Sequence, residues 1–416
     1  NIHIKALFKS DTYSDFLTTS TTIVSPYFPT EASLSGFKNE SFELAIDNAV
    51  PESMNAEFNL YTDIVGEVMD GIASLIRKPY GCFEQTSSST YPNVMVLKYL
   101  RESGKSNSEI EAKALEYIKE GYKRLISFET KEGGFEWFGH TPPHETLTAF
   151  GVLEFTEMKE VYPEVSETMI ARTVTWLMSR RDGHGGFHKS KKGYDSFASS
   201  PQDVANAYIV YALSEAGIAV DIQKEYETAY RDALKSNDSY KMALMACTAF
   251  NLKQKEDATR LLQQVKLNIE THGLGDLPVE NTITRSYGHD KQTETLAFTI
   301  LALLKEQNQD SFQISEAVEH LLRNRKHGRF GATQATAMAL KALITYTKTQ
   351  KEKLLQDNDI IKININGQIS EKKLITSPDG KVSIIGLEKD LKKGINTIDV
   401  IFSDTKKQFP YSLDIT

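Results

Sequence analysis

The sequence predicts a multidomain α + β chain, with a long helical block set between two strand-rich ends. Three observations carry this. The first sixty residues alternate apolar and polar positions, the last sixty do the same, and the stretch from about Ile64 to Tyr346 has helical periodicity.

At the N-terminal end, Phe42, Leu44 and Ile46 in "SFELAI" fall on one face of a strand, as do Met54, Ala56, Phe58 and Leu60 in "MNAEFNLY". At the C-terminal end, Ile361, Ile363 and Ile365 share a face, and the Asn366-Gly367 pair after them signals a hairpin. "INTIDVIFSD" and "YSLDIT" supply further strands. Between the ends, segments such as "EIEAKALEYIKEGYKRLISF" and "ETLAFTILALLKE" predict about a dozen helices with short connections. Such a block reads as an insertion into one β domain whose two halves meet in space.

A repeat runs through the helical block. "GGFEWFG…HETLTAF" from Gly133, "GGFHKS…QDVANAY" from Gly185 and "GRFGATQATAM" from Gly328 share one plan, with "SYGHDKQTETLAF" near Tyr287 as a looser copy. Each has a glycine turn with an aromatic, a polar helix start and an Ala-rich apolar helix. Repeated hairpins bury their faces on one another, which gives an open solenoid or a closed ring. In a ring, the turns before the inner helices converge at one end.

The 416 residues suffice for two or three domains, and the net charge of -8 with no Lys/Arg-dense face argues against a nucleic-acid partner. No apolar run is long enough to span a membrane. "NIHIKALFKS" lacks signal-peptide features and reads as a strand entered partway, so the chain is expected to be a fragment of something longer. Two cysteines make no disulfide framework; Cys247, in "KMALMACTAF", reads as a buried small hydrophobe.

Cys82 is different. In "KPYGCFEQTSSSTYPN", Pro79 stops any preceding helix, Gly81 permits a sharp turn, and Cys82 falls at the mouth of a helix. The dipole and free backbone N–H groups there favour a thiolate. Gln85, three residues on, shares its face. Attack of the sulfur on the Gln85 amide, with loss of ammonia, would close an internal thioester, and the same N–H groups would hold the oxyanion. From spacing alone, an inert cysteine beside a helix cap is the favoured reading.

The wider motif speaks against the inert reading. "PYGCFEQTSSSTYP" resembles the thioester region of the α2-macroglobulin and complement family, with the Gly-Cys-x-Glu-Gln core at Gly81, Cys82, Phe83, Glu84 and Gln85. It looks closer to the bacterial branch, since animal members usually carry glycine where Phe83 stands. "GRFGATQATAMALKAL" is similar to the family's closing glycine-rich stretch, with Ala332 in place of a serine. The resemblance covers essentially the whole chain. It implies an α/α toroid of six helical hairpins inserted into a CUB-like antiparallel β-sandwich. Residues 1–62 and 353–416 would form the halves of the sandwich, and 63–352 the thioester domain.

The resemblance further implies a bacterial, periplasmic or cell-envelope protease inhibitor. A target protease cuts a bait region elsewhere in the parent, and the thioester then acylates it. This is a single-use trap with no cofactor, not a turnover enzyme. Its partners would be target proteases, captured through lysine amines, and the parent's other macroglobulin domains. Cys82 and Gln85 would form the cross-link, with Gly81 and Glu84 supporting the motif. Tyr80, Trp137, Tyr194 and Tyr287 are candidates to shield it. Complement-type members have a downstream histidine that directs transfer to hydroxyls; "GYDSFASSPQDVANAYIVYAL" has none, which implies a preference for amines. Bacterial relatives often carry an aromatic where Lys78 stands.

Other chemistries are weaker. His140 and His144, and His184 and His188, have helical metal spacing, but Pro and Gly break both segments. The sequons at Asn39 and Asn237 carry little information. Toroidal prenyltransferases and terpene cyclases need zinc ligands or an Asp-rich motif, and Cys247 has no neighbouring histidine in sequence. Toroidal glycosidases need paired carboxylates, and nothing selects a pair among Glu136, Asp182, Asp195 and Asp203. A non-reactive interaction module of the same fold remains a third alternative.

Overall fold

The computed structural model describes all residues except 1, 22–30, 37, 48, 50–52, 62–74, 104–106, 191–192, 195, 307–310, 325–329, 332, 350–358, 375–380, 404–408 and 410. Ala332, the helix start near Ile64 and the expected boundaries at 62/63 and 352/353 lie outside the described residues.

Strands β1 (Ile2–Lys9) and β2 (Ser14–Thr21) pair antiparallel as a hairpin of their own. The other strands build two four-stranded antiparallel sheets, each drawn from both ends of the chain. In one, β10 (Tyr411–Ile415) lies between β3 (Ala32–Gly36) and β5 (Ala56–Tyr61), with β8 (Lys381–Ile385) outside β5. In the other, β9 (Gly394–Phe402) lies between β4 (Glu40–Ile46) and β6 (Ile360–Ile365), with β7 (Gln368–Lys373) outside β6. Their common core joins Ala56, Phe58 and Leu60 to Ile361, Ile363, Ile365, Ile398 and Leu413, so the period-two pattern at both ends marks one shared interior. Asn366 and Gly367 turn β6 into β7 with φ of 53° and 92°, the left-handed pair a two-residue hairpin needs.

Twelve helices occur among the described residues: α1 (Phe83–Ser103), α2 (Ser108–Ile126), α3 (Glu145–Val161), α4 (Glu167–Ser179), the single turn α5 (Ser196–Ser199), α6 (Gln202–Glu215), α7 (Gln223–Ser236), α8 (Ser239–Asn251), α9 (Lys255–His272), α10 (Gly288–Leu304), α11 (Ser311–Arg323) and α12 (Thr333–Thr349). Helix α1 packs on α3, α3 on α6, α6 on α8, α8 on α10, α10 on α12, and α12 back on α1. The remaining long helices lie against these six: α2 on α1, α4 on α3, α7 on α6 and α8, α9 on α8, and α11 on α10. That arrangement follows from composition. Helices such as α3 and α10 are buried nearly all round and rich in small residues, whereas α2, α7 and α9 bury one stripe.

The repeated turns are the joints of this assembly. Glu129 bridges Phe135 and Arg181 bridges Phe187, and Gly133 and Gly185 both sit at positive φ, 94° and 95°. In the first two copies, and again at Leu277 ahead of α10, a residue of the turn donates its N–H to a side chain of the following inner helix; Gly328, which opens the last copy, lies outside the described residues. The pairs are Phe135 to Thr148 Oγ1 (2.9 Å), Phe187 to Asn206 Oδ1 (3.1 Å) and Leu277 to Gln292 Oε1 (3.0 Å).

Away from these turns, an ion network joins all six inner helices. Lys98 of α1 pairs with Glu157 and Glu160 of α3. Lys341 of α12 lies 2.8 Å from Glu157 and 3.2 Å from Glu215 of α6. Lys305, which caps α10, reaches Glu215 at 3.1 Å and Asn251 of α8 at 2.7 Å. Burial alone would raise the Glu157 and Glu215 carboxyls; Lys341, with Lys98 and Lys305, more than offsets it and brings both down to about 2.

Candidate functional site

Helix α1 begins at Phe83, which leaves Cys82 at its N-terminal lip. The preceding segment is fixed by Asn93, whose side chain accepts from the Arg77 N–H (3.1 Å) and donates to the Arg77 carbonyl (2.9 Å). Gly81 then turns with φ +77°. The Cys82 N–H donates to Gln85 Oε1 at 3.2 Å, and the Thr86 N–H to the Cys82 carbonyl at 2.8 Å. The first contact is also half of a capping box, so helix-end chemistry holds the Gln85 amide against the residue that bears the thiol.

Gly81 allows this closeness. A Cβ there would sit 1.9 Å from Gln85 Oε1 and 2.8 Å from its Cδ. Gly81→Ala is therefore expected to push the Gln85 side chain off the Cys82 N–H. It should cost about 1–2 kcal/mol through the left-handed backbone alone. Thermal melting checks the cost, and a crystal structure of the variant checks the displacement.

Phe83 anchors the motif from below. It is fully buried, with ring centroids 5.0 Å from Phe135, 6.4 Å from Phe128 and 6.5 Å from Phe155. Its N–H donates to the Trp137 carbonyl at 2.9 Å, which ties the first repeated turn to the start of α1. Glu84 accepts a hydrogen bond from Ser88 at 3.0 Å, one turn further along.

The four candidate shields are placed differently. Trp137 is buried, with its ring edge-on to His144 (5.0 Å) and to Tyr194 (5.7 Å). Tyr194 also meets Phe138 at 5.4 Å, and both are more than half exposed. Tyr80 is 59% exposed, and Tyr287, at the start of α10, is 88% exposed.

Several contacts of the site were not legible in the sequence. Arg124 of α2 directs Nε and Nη2 at the Gly81 carbonyl (2.8 and 2.5 Å), and Thr86 Oγ1 donates to the Tyr80 carbonyl (3.1 Å). Lys78 pairs with Glu120 on the same helix at 3.6 Å. His144 is buried behind Trp137, and burial takes its imidazole down to about 4, so it is neutral at ordinary pH. No local pattern marks Arg124, whose target lies in another hairpin arm. Thr86 stands inside the motif itself.

The alternative chemistries meet structural partners instead. Glu136 accepts from the Phe138 and His140 N–H groups, Asp182 from those of His184 and Gly186, and Asp203 pairs with Lys241. Asp195 lies outside the described residues. Cys247 is fully buried, and burial pushes its thiol up to about 12, which makes it inert.

Residues 58–346 match the family model described as the A-macroglobulin TED domain, which is more than half of the chain. The chain belongs to this family. Curated relatives include Alpha-2-macroglobulin-like protein 1 of Mus musculus, 27% identical over 322 residues, covering 72% of this chain and 22% of the relative. Ovostatin of Gallus gallus is 27% identical over 354 residues, covering 78% and 23%. The chain thus spans about a quarter of the length of these members of the family. Among solved structures, the native conformation of E. coli alpha-2-macroglobulin aligns with a TM-score of 0.59 at 15% identity, over 100% of this chain and 25% of that one. A Salmonella alpha-2-macroglobulin mutant aligns at 0.58 and 15%, over 99% and 26%. At that identity the two structures speak for the fold of the family.

Proposed function

We propose that Cys82 and Gln85 form an internal thioester, and that the chain is the covalent-capture part of a bacterial α2-macroglobulin-like protease inhibitor. The observation that carries this is the Gln85 amide held on the Cys82 N–H, in a space that a side chain at Gly81 would take from it, inside a chain of this family. Sulfur attacks Gln85 Cδ, ammonia leaves, and the acyl group waits until a nucleophile reaches it. Each molecule acts once. Phe83 in place of the usual animal glycine, and the likeness to two bacterial folds, support the bacterial assignment.

The closed succession α1–α3–α6–α8–α10–α12 supports a toroid of six hairpins. The interleaving of strands from both ends supports its insertion into a CUB-like sandwich, divided at 1–62, 63–352 and 353–416. Bait cleavage and rearrangement belong to the parent protein, and a lysine amine of the attacking protease is the acceptor. A periplasmic or cell-envelope setting goes with that role. Tyr80, Trp137 and Tyr194 are the shield within this chain, and Tyr287 serves against a neighbouring domain of the parent.

Intact mass tests the proposal. Freshly purified protein should be lighter than its sequence by one ammonia, and methylamine should add across the bond and release one thiol. Cys82→Ala should do neither. Full sequence mass in fresh protein, with no methylamine uptake, would leave a non-reactive interaction module.

A further inference from the structure

We propose that Arg124 is a positioning residue for thioester closure, acting on Gln85 through the peptide group between Gly81 and Cys82. The proposal rests on the thioester reading above. One side of that peptide group faces α2, where the guanidinium lies 2.8 Å (Nε) and 2.5 Å (Nη2) from the Gly81 oxygen. The opposite side is the Cys82 N–H, which donates to Gln85 Oε1 at 3.2 Å. The three groups form one chain: cation, peptide, amide carbonyl.

A peptide oxygen bonded to a cation draws the nitrogen lone pair into the carbonyl, which makes the N–H a stronger donor. The positive charge on α2 therefore reaches the atom that must accept electrons when sulfur attacks. The orientation is over-determined. Arg124 Nε also lies 3.2 Å from Thr86 Oγ1, whose proton goes to the Tyr80 carbonyl at 3.1 Å. The guanidinium stands 5.8 Å over the Phe128 ring, which also packs against Phe83. The same groups that fix the arginine thus fix the turn it acts on.

In the closing step, Cys82 Sγ bonds to Gln85 Cδ, and negative charge collects on Oε1 against the Cys82 N–H. The Cδ–Nε2 bond then breaks, and the thiol proton finishes on the departing nitrogen, which leaves as ammonia. No oxidant or cofactor enters. The same N–H faces the thioester oxygen when an amine attacks later, so Arg124 should assist closure and opening alike.

The test compares wild type with Arg124→Met, Arg124→Gln and Arg124→Lys. It follows ammonia loss after refolding by mass, and thiol release by methylamine once closed, with melting temperature measured alongside. Arg124→Met is expected to slow both rates by about tenfold or more. Lysine, which keeps the charge, should restore more than glutamine, which keeps only a neutral donor. A purely structural tether would not separate those two variants. Wild-type rates in Arg124→Met, or equal rates in the lysine and glutamine variants, would overturn the proposal while leaving the thioester intact. Should Arg124→Met fail to fold, the lysine–glutamine comparison still decides. Absence of ammonia loss in wild type itself would remove both the thioester and the role of Arg124.

Discussion

Glu154→Gln is expected to stabilise the chain at alkaline pH and to change little in acid. Glu154 sits on α3 with no exposed surface, and among the described residues no donor makes a hydrogen bond to either carboxylate oxygen. Burial pushes its carboxyl from 4.5 up to about 8, with the Ser87 hydroxyl pulling modestly the other way. The folded chain keeps a proton that the unfolded chain has already lost. The Glu154 contribution is therefore undiminished below pH 4.5 and falls as pH rises towards about 8, by about 1.4 kcal/mol per unit. The full penalty is at most about 5 kcal/mol. Glutamine has the same shape and no proton to lose, so the variant should gain most of that amount at pH 9 and almost none at pH 4. Glu294, raised to about 7 by burial while hydrogen bonds from the Thr284 and Tyr240 hydroxyls pull it down, acts in the same direction and should keep some slope in the variant. Urea unfolding of both proteins at pH 4, 7 and 9 reads the difference; parallel pH profiles would show that Glu154 ionises normally.

Phe83→Ala should cost about 3–5 kcal/mol, the range for emptying a buried aromatic site. The ring is wedged among Phe128, Phe135 and Phe155, and Gly151 is bare where a Cβ would come within 2.9 Å of it. Those partners come from the segment before the first repeated turn, the turn itself and the following inner helix, so they cannot all close over the void without moving apart. The loss should appear as a lowered denaturation midpoint. It should also weaken the Phe83 N–H bond to Trp137 and so loosen the lip that carries Cys82. A drop below about 1 kcal/mol would mean that the pocket collapses around the smaller side chain.

Much of this was legible in the residues themselves. Alternation in "IIKININ" assigns Ile361, Ile363 and Ile365 to one buried face, and all three are buried. Asn366-Gly367 turns where its left-handed preference demands. The lip at Cys82 follows from Pro79 and Gly81, since neither permits a helix to run through. What the sequence concealed is polar and distant. Nothing in their own helices marks Glu157, Glu215 and Lys341 as partners, because a single-helix pattern says nothing of what lies on a neighbouring helix. Here both faces of the inner helices are covered, and the partners lie on other hairpins. Glu154 left a faint signal, an acid amid the apolar run "AFGVLEF". Arg124 left none, because its role depends on a backbone oxygen, which no side-chain pattern encodes.

The ion network also has a mechanical consequence. Anything bonded to Gln85 pulls on the first turn of α1, a rod of 21 residues whose far portion carries Lys98. That lysine hands tension to Glu157, then through Lys341 and Glu215 to Lys305 and Asn251. If Gln85 acylates a target as proposed, its cargo would tug on a yoke shared by six rods, and no single one of them would have to bear the strain alone.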